Sequence, residues 1–76
     1  MRYDNQATGR AIRELRRRRG ISQEVLSGLA GIARSHLAMI ESGSKSANVE
    51  TLWRIAEALD LPLSSLFLLV EEEHHS

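Results

Sequence analysis

The side chains in this chain best equipped for chemistry are cationic. Residues 1–19 hold seven arginines, four of them consecutive at Arg16–Arg19, and Arg34 and Lys45 follow. A guanidinium offers a fork of N–H donors that fits phosphate oxygens, or the O6 and N7 edge of guanine. Ser22, Gln23, Ser35, His36, Ser44 and Ser46 place short hydrogen-bonding groups among these cations. Bond-breaking chemistry has no comparable basis, because no nucleophile–base pair or phosphate loop is present. The chain has no cysteine, which removes disulfides and thiolate metal sites. Adjacent His74 and His75 behind Glu71–Glu73 lack the spacing of a zinc-protease motif and read as a solvated tail. The residues therefore predict no enzyme, no metal and no cofactor.

Formal charge sums to zero over the 76 residues, but its distribution is polarised. Residues 1–20 set seven arginines against Asp4 and Glu14, a balance of +5. Residues 46–76 set Arg54 against six acids, a balance of −5. Such an asymmetry suits one face for an anionic partner and leaves the other turned away. No apolar run reaches the length of a membrane span and no signal peptide opens the chain, so a soluble cytoplasmic protein is expected.

Helices must position these groups. Leu, Ala, Arg and Glu dominate, and proline occurs once. Residues 1–5 read as a flexible arm. Ala11, Ile12 and Leu15 sit at helical spacing in a first helix from about Gln6 to Arg19, closed by Gly20. Ser22 caps a second helix, Gln23 to Ala30, with Val25, Leu26 and Leu29 as its apolar stripe. Gly31 turns the chain into a third helix from about Arg34 to Glu41, which buries Leu37 and Ile40 and ends at Gly43. Asn48 caps a fourth, with Leu52, Ile55, Ala56 and Leu59 at core spacing. Pro62 opens a fifth, with Leu63, Leu66, Phe67 and Val70 on its apolar face. One domain over 6–70 and a flexible acidic and histidine-bearing tail over 71–76 complete the reading.

Local spacing narrows the possibilities. In QEVLSGLAGIARSHLAMIES two short helices meet at a glycine turn. A small residue must face the partner helix, glycine must make the turn, and apolar residues must anchor the second helix. Ser27, Gly31, Leu37 and Ile40 stand at those places, the spacing of a helix-turn-helix. Such a motif holds its second helix proud of the body, where its polar side chains can enter a groove.

With GRAIRELRRRRGISQEVLSGLAGI, HLAMIESGSKS and VETLWRIAEALDLPLSSLF, the chain resembles the Cro and lambdoid-repressor type of helix-turn-helix, the XRE family. About sixty residues carry the resemblance. It implies an all-α, compact five-helix lambda-repressor-like fold, binding to double-stranded DNA and usually a homodimer. It places Arg34, Ser35 and Met39 at base-contacting positions of the third helix, with His36 and Ala38 nearby. Ser22 and Gln23 match the phosphate-binding start of the second helix, and Ser44, Lys45 and Ser46 match a loop that touches the sugar-phosphate backbone; the chemistry of His36 allows a phosphate contact or a solvated exposed histidine. Arg16 and Glu41 match an ion pair that ties the first helix to the third. Three positions depart from the family pattern. Ala33 stands where a capping Ser or Thr is usual, Ser27 where alanine is, and Ala47 where proline is common.

Chemistry alone leaves alternatives open at several of these residues. Arg34 reads guanine or contacts phosphate, and Met39 packs on a thymine methyl or covers an apolar helix edge. Arg17–Arg19 reach phosphate or cap the negative end of the first helix. Trp53, with Leu63, Phe67, Leu69 and Val70, exceeds what a small monomer core needs and points to a dimer interface; alternatively Trp53 covers the edge of its own core. The reading is a transcriptional regulator, a repressor, whose third helix enters the major groove of a near-palindromic operator as a homodimer. A controller protein of a restriction-modification system and a phage-type repressor fit the length about equally. An antitoxin with a toxin partner, contact with RNA polymerase, and an interaction module of a larger regulator are the rival or additional roles.

Overall fold

Caps set the helix boundaries. In the computed structural model, which describes residues 3–75, Asp4 starts α1 (Asn5–Arg18) by accepting the Gln6 and Ala7 N–H groups on Oδ1, each at 3.0 Å. Ser22 starts α2 (Gln23–Ala30) through a bond from the Val25 N–H to its Oγ, and Asn48 starts α4 (Val49–Ala58) through the Thr51 N–H. Ala33, before α3 (Arg34–Ser42), gives no side-chain cap. Pro62 precedes α5 (Leu63–His75), where its missing N–H costs nothing and its carbonyl accepts from Ser65 at 3.0 Å. Among the described residues there is no strand. Among the same residues no helix is long and apolar enough to cross a membrane.

The helices enclose one core within a body 32 × 22 × 21 Å in extent. α1 packs on α3 along one side and on α5 along another, while α2 bridges α3 and α4. Ile12, Leu26, Leu37, Ile40, Ile55 and Leu66, at least one from each helix, fill the interior with Leu59, which caps the end of α4. α1 meets α3 most closely at Gly9: a Cβ there would lie 2.5 Å from the Ile40 carbonyl oxygen and closer still to that of Glu41. Any other residue at position 9 would push the two helices apart.

Three expectations change. Glu71–His75 are not a frayed tail but the last turns of α5, held to α1 by Arg10 Nε on Glu73 Oε1 at 3.2 Å and by His74 Nδ1 beside Asp4 Oδ2 at 2.9 Å. Tyr3 and Asp4, expected in a loose arm, are fastened as well, Tyr3 through a 2.8 Å hydrogen bond between its hydroxyl and that of Thr8. Met1, Arg2 and Ser76 lie outside the described residues. In α2 the inward face is Leu26, Ser27 and Ala30, so Val25 and Leu29 are exposed rather than part of a buried stripe.

Candidate nucleic-acid interface

The turn between α2 and α3 is built from backbone hydrogen bonds around one glycine. Gly31 takes the left-handed conformation at φ 71°, and the next N–H, of Ile32, donates back to the Ser27 carbonyl at 3.0 Å. A residue with a Cβ is strained there. Ser27 is buried, yet its hydroxyl donates to the Glu24 carbonyl at 3.0 Å, which is why a serine is tolerated at this helix contact.

Leu37, Ile40 and Glu41 form the buried face of α3. Helical periodicity then puts Ser35, Met39 and Ser42 on the opposite, solvent face, with Arg34 and Ala38 along its edge. Ser35, Met39 and Arg34 are exposed, and His36 is half-buried on the other flank. Among the described residues Arg34 and Lys45 make no salt bridge, and Arg17 and Arg19 are likewise without an acidic partner. Arg18 pairs with Glu14. Unpaired exposed guanidinium groups keep their donors for an external acceptor.

Behind α3, Gly43 ends the helix at φ 81° and lies so close to α1 that a Cβ would meet Gln6 Cγ at 2.6 Å. The following loop folds back on the end of α3. Ser44 and Lys45 donate their N–H groups to the Met39 carbonyl at 3.1 and 3.3 Å, and Ser44 Oγ lies 3.0 Å from Ser42 Oγ. The Lys45 and Ser46 side chains stay exposed.

The element that fixes α3 on the body is polar. Glu41 has a fully buried carboxylate. Arg16 binds it with two parallel bonds, Nε to Oε2 at 2.8 Å and Nη2 to Oε1 at 3.0 Å, and uses Nη1 on the Ile21 carbonyl at 3.0 Å. These hydrogen bonds to Glu41 hold the Arg16 guanidinium above its ordinary pKa, against the opposing effect of burial. Gln23 Nε2 adds a third bond at 3.1 Å, and Arg13 Nε stands 3.8 Å from Oε1. The ion pair expected between Arg16 and Glu41 is thus present, while the links to Gln23 and Arg13 were not foreseen. Gly9 was also passed over, although a glycine inside a helix is itself a signal of close approach.

A second surface lies between α4, α5 and the chain start. A groove of about 640 Å³ is lined chiefly by Tyr3, Val49, Leu52, Phe67 and Val70, with Asp4 and His74 at its edge. Trp53, one turn from Val49, is 56% exposed. Phe67 is partly exposed and Leu68 more so, whereas Leu63, Leu69 and Val70 are half-buried against the core.

These features have close counterparts in known proteins. A family model described as helix-turn-helix matches residues 12–66. The chain is 33% identical over 63 residues to a competence pilus inhibition repressor of Acinetobacter baylyi, covering 83% of this chain and 57% of that protein. To the HTH-type transcriptional regulator SutR of Escherichia coli it is 37% identical over 54 residues, covering 71% and 30% respectively. It therefore spans little more than half of the first relative and under a third of the second. The restriction-modification controller protein C.AhdI from Aeromonas hydrophila shares the fold with a TM-score of 0.82 at 36% identity, over 84% of this chain and 97% of that one. Glycine turn, anchored third helix and matched family together establish that this chain belongs to the Cro/C1-type helix-turn-helix family of DNA-binding transcriptional regulators.

Proposed function

We propose that the chain is a repressor that binds a near-palindromic operator as a homodimer, with α3 in the major groove. The observation that carries this reading is the exposed, unpaired Arg34 beside Ser35 and Met39, on a helix fastened from behind by Glu41. Arg34, Ser35 and Met39 meet base edges, Arg34 with guanine through two hydrogen bonds. Ser22, Gln23, His36, Lys45 and Ser46 contact phosphates, the first two at the positive end of α2. Ser44, whose hydroxyl already serves the end of α3, contributes mainly by shaping the loop. Likeness to a named repressor supports the sign of regulation, and likeness to a controller protein supports a small regulator of this size.

Dimerisation uses the α4–α5 face. Exposed Trp53 and Phe67 contribute apolar surface to it, with Leu63, Leu69 and Val70 beside them. A two-fold axis there sets two α3 helices about 34 Å apart, one turn of DNA. Selection of bound sequences from random duplex DNA tests the whole reading. Two inverted half-sites about one turn apart are expected, and Arg34→Ala should relax the preference at one base pair per half-site. Enrichment of a single unsymmetrical half-site would exclude the dimer; no enrichment at all would exclude sequence-specific binding.

A further inference from the structure

Glu41 does more than join α1 to α3. Its Oε1 accepts both Arg16 Nη2 at 3.0 Å and the side-chain amide of Gln23 at 3.1 Å. Gln23 is the first residue of α2, next to the Ser22 cap, so its side chain stands beside N–H groups that have no partner inside the helix. A glutamine amide is planar and carries two N–H donors on one nitrogen. With one donor fixed on a buried acceptor, the other has a single direction left, away from that acceptor. An untethered glutamine would have to be ordered at each binding event, which weakens binding.

We propose that Glu41 is a positioning residue for DNA binding, holding the Gln23 amide in one rotamer so that its second N–H meets a backbone phosphate oxygen. This rests on the reading of Gln23 as a phosphate contact. Charge is not an obstacle, because the Glu41 carboxylate is neutralised by its two bonds from Arg16, with Arg13 Nε 3.8 Å away. Arg16 spends three of its five N–H donors on Glu41 and the Ile21 carbonyl, whereas Gln23 is the member of the cluster that stands at the start of α2 with its second amide N–H uncommitted.

A cycle of Gln23→Ala, Glu41→Gln and the double variant tests the proposal. Affinity is read by fluorescence anisotropy on a generic short duplex at low salt, where phosphate contacts set the binding. All measurements are made at a temperature where circular dichroism shows every variant folded. Each single change should weaken binding about tenfold, the loss of one hydrogen bond to an ionised group. The double variant should be weaker than either single by no more than about twofold. If Glu41→Gln weakens binding by the same factor in the Gln23→Ala background, the positioning role is overturned while the phosphate contact stands. If Gln23→Ala leaves affinity unchanged, the phosphate contact fails and the proposal with it. Should Glu41→Gln not fold, the unmodified free chain decides through the NMR signals of its Gln23 amide protons. Signals shifted from those of a free glutamine and slow to exchange support the tether; the signals of a free glutamine overturn it.

Discussion

α1 is bound to its two neighbours in opposite ways. Against α3 the contact is sealed: Gly9 lets the backbones touch, Gly43 receives Gln6, and Arg16 meets a carboxylate with no exposure at all. Against α5 the contact is open to water, with Arg10 and Glu73 pairing at side-chain exposures of 46% and 27% and Asp4 facing His74 in a similar setting. Both seams use ion pairs of nearly the same length, so geometry alone would rank them together. Burial separates them. An exposed pair contributes little because water and salt replace it readily, whereas a buried charge stripped of its partner has nothing to replace it. The sealed seam lies on the side of α3, the helix proposed to enter the groove.

The strongest way to break this comparison is Arg16→Met. It leaves Glu41 buried with only Gln23 and the distant Arg13, and should lower unfolding free energy by about 3 kcal/mol. Urea denaturation measures this, with Arg10→Met as the matched change at the open seam, expected to cost less than about 1 kcal/mol. Equal losses would show that burial does not distinguish the seams. Replacing both members, Arg16→Met with Glu41→Leu, should recover much of the loss, since no uncompensated charge then remains.

Next in size is a pair of glycine substitutions. Gly9→Ala drives a methyl group into the Ile40 and Glu41 carbonyls, which are backbone and cannot turn aside. A net loss of about 1–3 kcal/mol is expected, even after the helix-favouring effect of alanine. Gly28→Ala is the control, because it lies in α2 with nothing within 4 Å of the added carbon. It should stabilise by about 0.5–1 kcal/mol. Thermal melts that move in opposite directions confirm the sealed α1–α3 contact; parallel shifts contradict it.

How far the sequence revealed these seams depends on the reach of each signal. Ser27, Gly31, Leu37 and Ile40 could be read because a glycine turn between two short helices imposes fixed spacing on all four. α2 was harder. Apolar residues at 25, 26, 29 and 30 fit two faces of a two-turn helix equally, and only packing on α3 and α4 selects Leu26 and Ala30. The open seam was invisible for a different reason. Arg10 finds Glu73 across 63 positions and Asp4 finds His74 across 70, while the local composition at Glu71–His75 resembles a solvated tail. Gln23 illustrates the same limit within the site. Its position at the start of α2 marked it for phosphate, but its tie to Glu41 appears only once α3 folds back beside it.

The smallest effect comes from titrating the open seam. Asp4 is held below its ordinary carboxylate pKa of 3.8, first by the Ala7 N–H, then by His74, with desolvation opposing and the Gln6 N–H assisting. A carboxyl whose folded pKa is depressed contributes stability that is complete above its unfolded pKa and is lost as pH falls through the folded value. The contribution should therefore be flat from neutral pH down to about pH 4 and decline below it. Asp4→Asn isolates this, since asparagine caps a helix as well as aspartate but has no proton to gain. Stability measured by urea denaturation should fall less steeply below about pH 4 in the variant than in the parent chain. Acid limbs that superimpose would mean that Asp4 keeps no preferential hold on the N–H groups of α1 or on His74.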